Sequence, residues 1–211
     1  MAAPHIKRGL KRVLDVGCGT GRLAEFLSDL PDIEFVGVDI NEDYIRRCHE
    51  RMKNRNNFTF FTKDFLYYNS ADKFDIIILT GSFHHFQFSQ QERVLEKIQN
   101  MLNLGGIVFV SERILSPYAS RKDFIRANKL YYYISVADQF LRGEIPWNHI
   151  IPLLNIWRRS VDFEYKLDYE KFISKFRSAN FELTDKIKIW PRTNYFFNES
   201  VGDIIFTFIR A

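Results

Sequence analysis

The sequence predicts an α/β fold, a doubly wound and mostly parallel sheet of seven strands. Short apolar runs and helical patterns alternate five times between residues 12 and 112. A glycine-rich turn at residues 17–21 separates the first run from the first helical pattern. After residue 165, one more helix and a pair of strands complete the pattern. These observations predict one layer of strands between two layers of helices.

Five strands are predicted before the pattern changes. They are expected at about residues 12–16, 34–38, 58–62, 73–79 and 107–110. The fourth run is almost continuously apolar, which is typical of a strand buried on both faces at the centre of a parallel sheet. The first run ends at the glycine turn, so that turn is expected at the carboxyl edge of the sheet.

Apolar spacing and capping residues predict the helices between the strands. Asn41 is a suitable N-cap for a helix over residues 42–53. Residues 89–92 read Ser-x-x-Glu, a capping box that would open the next helix, and the glycines at 105–106 would end it. Four residues of the helix after the glycine turn are spaced to form one buried face. They are Leu23, Phe26, Leu27 and Leu30.

The alternation stops at residues 113–165. This segment contains a predicted helix over 120–141 and a second apolar segment over 150–157. It is too apolar to be a disordered linker, so it must bury a face against the rest of the chain. We therefore expect a single domain over residues 1–211, in which 113–165 is a helical lid or substrate-binding insertion. A last helix from Asp168 and two strands follow it.

Composition narrows the class of protein. The chain has 211 residues, 46% hydrophobic and 27% charged, which are ordinary values for one globular domain. The net charge of +4 is compatible with nucleic-acid binding, but acidic and basic residues are mixed along the chain. The two cysteines give no disulfide framework and no metal-binding spacing, which favours a reducing compartment. No apolar run reaches membrane-spanning length, so the cytoplasm is the expected location.

The spacing of the glycine turn distinguishes it from other nucleotide-binding turns. Residues 15–21 read Asp-x-Gly-x-Gly-x-Gly, so the third glycine comes one residue earlier than in the dinucleotide fingerprint. A nicotinamide dehydrogenase is therefore disfavoured. Asp15 suits a ligand with an ammonium group better than a pyrophosphate. Asp39 follows the turn by roughly 20 residues, where such folds place an acid that binds ribose hydroxyls. The alternative for Asp39 is an acid that caps the next helix.

The turn resembles motif I of the class I S-adenosylmethionine (SAM)-dependent methyltransferases of the small-molecule type, and the later parts follow in that family's order. The resemblance implies a Rossmann-like fold, SAM as cofactor, S-adenosylhomocysteine as product and no metal. It places Ile40 against adenine, with Asp64 and the backbone N–H of Phe65 at the adenine edge. The cofactor-binding residues that it implies are Asp15, Gly17, Cys18, Gly19, Gly21, Asp39, Ile40, Asp64, Phe65 and Thr80.

The resemblance implies methyl transfer to an oxygen or nitrogen of a small or medium-sized metabolite, partly apolar or aromatic. His84 and His85 follow the central strand, where one of them could act as a general base. Alternatively, one packs under the next helix and the other is solvated. The candidate acceptor-binding residues are Tyr131, Tyr132, Trp147 and His149.

Other functions stay open from the sequence. The fold could belong to an enzyme that binds SAM without transferring methyl, or to a regulatory subunit. A methyltransferase for RNA or protein is less favoured, because the insertion is aromatic rather than basic. No Asn-Pro-Pro-Tyr motif follows the fourth strand, so the resemblance does not imply amino-group methylation of nucleic-acid bases. The family usually has a helical segment before motif I, and about a dozen residues precede it here. We therefore expect the insertion, a second copy or a partner chain to cover the site.

Overall fold

Seven strands form one sheet in the part of the chain that the structure describes. The structure is a computed structural model that describes residues 9, 11–30, 32–160, 164–191 and 199–211, with the side chains of 157–160 outside the description. The strands are β1 (Arg12–Val16), β2 (Glu34–Asp39), β3 (Phe58–Thr62), β4 (Phe74–Thr80), β5 (Leu102–Ile114), β6 (Phe181–Trp190) and β7 (Gly202–Arg210).

The strand order is β3-β2-β1-β4-β5-β7-β6. The first five strands pair in parallel, and β7 lies antiparallel between β5 and β6. The order reverses between β1 and β4, and open α/β sheets bind ligands at the carboxyl ends of the strands at such a point. The predicted doubly wound, seven-stranded sheet is confirmed.

Six helices lie in the described part of the chain. They are α1 (Arg22–Leu27), α2 (Glu42–Arg51), α3 (Phe88–Met101), α4 (Arg121–Leu141), α5 (Trp147–Ser160) and α6 (Tyr169–Ser178). Asn41 caps α2 as predicted, because its side chain accepts a hydrogen bond from the backbone N–H of Tyr44 at 3.2 Å. The sequence pattern therefore located the helices within a few residues of their ends.

Two apolar layers enclose the sheet. One layer packs α3 and α6 against the face that carries Leu14 and Ile77, and the other packs α1 and α2 against the face that carries Val13 and Ile76. Both faces of β4 are covered, and Ile76 and Ile77 are fully buried. This burial confirms β4 as a central strand and leaves only the sheet's edges for a ligand.

The insertion forms the helical pair α4 and α5. Tyr131 and Tyr132 of α4 pack on Leu115 and Val201 in a third apolar cluster. Side chains on α5 are more exposed, and Trp147 has 74% of its surface accessible. No helix in the described ranges combines the length and the apolar character that crossing a bilayer requires.

Three sequence predictions about the helices are wrong in detail. Phe26 is 75% exposed, because α1 has only six residues and turns Ala24 and Leu27 toward the core. The predicted capping box at residues 89–92 lies inside α3, which begins at Phe88 with Gln87 as its N-cap. The glycines at 105–106 do not end α3, because β5 already pairs with β4 from Leu102 onward. In the first case tertiary packing decides which side chains of α1 are buried, and in the other two it decides where α3 begins and ends.

Candidate functional site

A cavity of about 520 Å³ opens at the carboxyl edge of the sheet, where the strand order reverses. Its volume falls within the range of small-molecule sites. The lining comes from the glycine turn, from the residues after β2 and β3, and from the turn after β4. The residues are Val16, Gly17, Gly19, Val38, Asp39, Ile40, Asn41, Tyr44, Lys63, Asp64, Phe65, Gly81, Ser82, His85, Phe86 and Gln90.

The glycine turn needs its glycines for conformation and for space. Gly17, Gly19 and Gly21 all have positive φ, a region that L-residues with a side chain rarely adopt. The backbone N–H of Gly17 donates to the carbonyl oxygen of Val38 at 2.8 Å, which ties the turn to β2. A Cβ on Gly17 would lie 2.5 Å from the Cβ of Ser82. The turn can therefore approach both β2 and the β4 exit closely.

Asp39 lies at the end of β2 and lines the cavity. One carboxylate oxygen accepts from the backbone N–H of Gly19 at 2.9 Å, and the other accepts from that of Asn41 at 2.9 Å. These two bonds fix the orientation of the carboxylate, and each oxygen keeps further acceptor capacity. The arrangement suits a ligand that presents two adjacent hydroxyl groups.

Asp15 lies beneath the turn and does not line the cavity. It is 2% exposed, and its Oδ1 has no hydrogen-bond partner among the residues that the structure describes. Burial raises the pKa of this carboxyl to about 7, with a further contribution from the charge of Asp39. An unsatisfied buried carboxyl oxygen is unusual and suits a donor group supplied by a ligand.

The opposite wall of the cavity has apolar surfaces beside one acid. Ile40 and Phe65 line the cavity, as predicted for an adenine site. Asp64 also lines it, and its Oδ1 accepts from the backbone N–H of Leu66 at 2.8 Å and so caps the 3₁₀ turn Phe65–Tyr67. The strand-end positions in the sequence therefore come together on one cavity.

Besides Asp15, three of the predicted cofactor residues do not line this cavity. Cys18 is buried, and its thiol and that of Cys48 lie 3.9 and 3.2 Å from the carbonyl oxygen of Gly19. A Cβ on Gly21 would lie 3.0 Å from the sulfur of Cys48 on α2, so Gly21 allows close packing of the turn against that helix. Thr80 pairs with Ser111 at the end of β4.

The two histidines have different surroundings. They belong to the 3₁₀ turn Phe83–His85 after β4, and their rings lie 4.2 Å apart. His85 lines the cavity, and burial, followed by the nearby His84, lowers its pKa below the ordinary value. The Nδ1 of His84 lies 2.7 Å from Oε2 of Glu112, away from the lining of the cavity.

Glu112 is a functional candidate that sequence reasoning did not assign. Its carboxylate is 4% exposed at the end of β5. Its position in the sequence could have identified it, because Glu112 follows an apolar run, as Asp39 does.

The four candidate acceptor residues are not brought together. Tyr131 and Tyr132 line a hollow of about 210 Å³ beside Arg113, whose guanidinium carbon lies 4.4 and 5.1 Å from their ring centroids. Trp147 and His149 are exposed on α5 and line neither the cavity at the carboxyl edge of the sheet nor this hollow.

Comparison with known proteins agrees with this geometry. Residues 13–106 match the family model described as a methyltransferase domain. The N-methyltransferase NodS of Bradyrhizobium japonicum WM9, solved with S-adenosylhomocysteine, has a similar fold with a TM-score of 0.61 and 15% identity, covering 94% of this chain and 76% of that one. Residues 13–106 therefore form a methyltransferase domain, and the chain has the fold of the class I SAM-dependent methyltransferases.

Curated relatives match only part of the chain. Carboxy-S-adenosyl-L-methionine synthase of Helicobacter pylori (strain P12) is 33% identical over 111 residues, which are 49% of this chain and 43% of that protein. Malonyl-[acyl-carrier protein] O-methyltransferase 2 of Ilyobacter polytropus is 26% identical over 100 residues, covering 47% and 38% respectively. The chain thus spans less than half the length of either relative.

The residues around the cavity fit SAM, the cofactor of the family whose fold the chain shares. The positive-φ turn leaves the backbone open to a ligand, and a carboxylate with spare acceptor capacity stands at Asp39. The orphaned Oδ1 of Asp15 lies beneath that turn, where a donor is needed. SAM carries a ribose diol, an adenine and an ammonium group, and these residue types can accommodate all three.

Proposed function

We propose that this chain binds SAM in the cavity at the β1–β4 switch point and transfers its methyl group to a small or medium-sized metabolite. The observation that carries this proposal is that Gly19, Asp39, Phe65 and His85 all line one cavity. A cofactor held by the first three would extend toward the turn that carries His85.

The chain's own residues supply the contacts that would bind SAM. Asp39, oriented by two backbone N–H groups, would accept the ribose hydroxyls. Ile40 and Phe65 would flank the adenine, and Asp64 would accept its amino group. Bound SAM would supply a methyl group on a positively charged sulfonium, so the protein has mainly to align the acceptor and exclude water.

His85 is the better candidate for a general base. It lines the cavity, and its lowered pKa keeps the imidazole neutral near pH 7, so that a ring nitrogen can accept a proton from a hydroxyl acceptor. His84 already contacts Glu112. An acceptor with a neutral amine would need alignment more than a base.

A small acceptor is supported by the relatives. We propose that part of it packs on the aromatic faces of the hollow of about 210 Å³ beside Arg113, Tyr131 and Tyr132. The matched relatives are named for a carboxylated SAM and for a malonyl group on a carrier protein. We propose that residues 113–165 cover the acceptor within a single domain.

A second candidate is a SAM-binding enzyme that does not transfer methyl. The 33% identity with a carboxy-S-adenosyl-L-methionine synthase favours it. Product analysis separates the two candidates. The purified chain would be incubated with methyl-labelled SAM and a metabolite library. We expect S-adenosylhomocysteine and a labelled acceptor. Label that stays in an adenosyl-containing product would favour the second candidate.

Cofactor binding is tested directly with Asp39→Asn. Because hydrogen bonds to a charged group contribute about 1.5–3 kcal/mol, we expect the affinity for SAM and S-adenosylhomocysteine to fall by about 10- to 100-fold in calorimetric titrations. Asp43→Asn is the matched control, since Asp43 is exposed on α2 and pairs with Arg46. Equal affinity in Asp39→Asn and wild type would refute the ribose assignment.

A further inference from the structure

Glu112 contacts the turn that carries both histidines. We propose that Glu112 is a positioning residue: through His84 it holds the turn Phe83–His85 so that His85 faces the cavity. The inference rests on the methyl-transfer function proposed above, and it assigns Glu112 a role that the sequence motifs did not indicate.

Both oxygens of Glu112 are used within this turn. Oε1 accepts from the backbone N–H of Phe83 at 2.8 Å and lies 3.3 Å from that of His84. Oε2 lies 2.7 Å from Nδ1 of His84. A buried carboxylate needs such partners to offset its loss of hydration. These contacts bind the end of β5 to a turn that follows β4.

The register of the sheet explains why Glu112 reaches the turn. Thr80 pairs with Ser111, and the backbone N–H of Gly81 donates to the carbonyl oxygen of Ser111 at 2.8 Å. The ends of β4 and β5 therefore lie side by side, and the next residue of β5 is Glu112.

His84 is held from a second side by the last residues of the insertion. Its carbonyl oxygen accepts from the backbone N–H of Tyr165 at 2.7 Å, and its Nε2 lies 3.9 Å from Oε1 of Glu164. Glu164 in turn contacts the buried ammonium of Lys166. With its ring fixed in this way, His84 forms a support for the ring of His85, 4.2 Å away.

Glu112→Gln replaces the carboxylate that contacts His84 with an amide of nearly the same size. The backbone N–H groups of Phe83 and His84 require an acceptor, so the amide oxygen takes the place of Oε1. The amide N–H₂ then faces Nδ1 of His84, which must become an acceptor. The carboxylate, which only accepts, requires a proton on Nδ1, so the substitution moves that proton to Nε2.

The experiment compares wild type, Glu112→Gln and the control Glu96→Gln, which removes an exposed carboxylate of α3. Long-range ¹H–¹⁵N spectra would report the protonated nitrogen of each imidazole, with His84→Asn and His85→Asn assigning the signals. In Glu112→Gln we expect the His84 proton to move from Nδ1 to Nε2 and the His85 resonances to shift. Glu96→Gln should match wild type.

Function is measured in the same variants. We expect Glu112→Gln to lower kcat by about 10- to 100-fold, a typical cost of losing an outer-shell partner. The KM for SAM and the affinity for S-adenosylhomocysteine should stay within about twofold, because Glu112 does not line the cofactor cavity. Wild-type kcat together with unshifted His85 resonances would overturn the proposal, as would a loss of S-adenosylhomocysteine affinity equal to the loss of kcat.

Two safeguards keep the test decisive. If Glu112→Gln does not fold, His84→Asn removes the same link, and unchanged His85 resonances in that variant would overturn the proposal. Failure of the proposed function gives a different result: wild-type protein would then form no S-adenosylhomocysteine from SAM with any acceptor. The spectra would still decide whether Glu112 positions His85.

Discussion

Ser82 packs directly against Gly17, so closely that a Cβ on Gly17 would lie 2.5 Å from the Cβ of Ser82. The hydroxyl of Ser82 also donates to the carbonyl oxygen of Val16 at 2.5 Å. The two contacts join the ends of β1 and β4, the strands between which the cofactor cavity opens. Gly17 is therefore required for two reasons: Ser82 leaves no room for a side chain, and the backbone of Gly17 has a positive φ.

Gly17→Ala should be more harmful than Gly19→Ala. Both residues have positive φ, which costs a residue with a Cβ about 1–2 kcal/mol. Only at Gly17 does the new Cβ meet another atom, since nothing lies within 4 Å of the position at Gly19. We expect urea unfolding to show an additional loss of about 1–3 kcal/mol for Gly17→Ala, the usual range for overpacking.

Adding Ser82→Gly to Gly17→Ala removes the atom that the new Cβ meets. The double variant should lose less free energy of unfolding than the sum of the two single variants. Additive losses would mean that the Ser82 contact does not limit Gly17.

The stability of the ligand-free protein should depend on pH through Asp15. Its pKa is raised from 3.8 to about 7 in the folded state, so the folded protein binds the proton more tightly than the unfolded chain. Stability from this group is therefore greatest below pH 4, falls between about pH 4 and 7, and stays lower above pH 7. Asp15→Asn removes this titration and should stabilise the protein relative to wild type increasingly from pH 4 to 7.

The shift corresponds to a change on the order of 4 kcal/mol across that interval. Chemical unfolding at several pH values measures it. Asp29→Asn is the control, because the Asp29 side chain is 94% exposed. If the difference in free energy of unfolding between Asp15→Asn and wild type does not vary with pH, the raised pKa of the Asp15 carboxyl is contradicted.

The grouping of Asp39 and Asp64 on one cavity could be predicted because it depends on strand ends. Asp39 and Asp64 each follow an apolar run, and parallel strands bring their carboxyl ends to one edge of the sheet. The roles of His84 and His85 could not be separated in this way. What distinguishes them is Glu112, 28 residues away from His84 and brought to it only by the β4–β5 register. Phe26 was placed wrongly because the buried face of α1 runs through Ala24 and Leu27, and Phe26 lies off that face.

His85→Asn should separate catalysis from cofactor binding. Loss of a general base typically costs 100- to 10,000-fold, so we expect kcat with a hydroxyl acceptor to fall by at least about 100-fold. The affinity for S-adenosylhomocysteine should change by less than about tenfold, because Asp39 and the glycine turn remain. His49→Asn, at an exposed position on α2, is the control.

The pH profile gives a further test of His85. Because burial lowers the pKa of His85, the acid limb of kcat/KM should lie below the ordinary histidine value of 6.5. That limb should disappear in His85→Asn. An acid limb that persists unchanged in this variant would assign the titration to another group.

The aromatic cluster beneath β7 should dominate the packing of α6. Phe176 is fully buried and stacks on Phe208 with ring centroids 4.1 Å apart and an interplanar angle of 10°. Phe176→Ala should therefore lower the free energy of unfolding by about 3–5 kcal/mol, through lost transfer free energy and the cavity left behind. Phe176→Leu keeps most of the volume and should cost less.

Phe26→Ala is the matched control and should change stability by less than about 0.5 kcal/mol, because Phe26 is 75% exposed. Similar losses in Phe176→Ala and Phe26→Ala would contradict the burial of one ring and the exposure of the other.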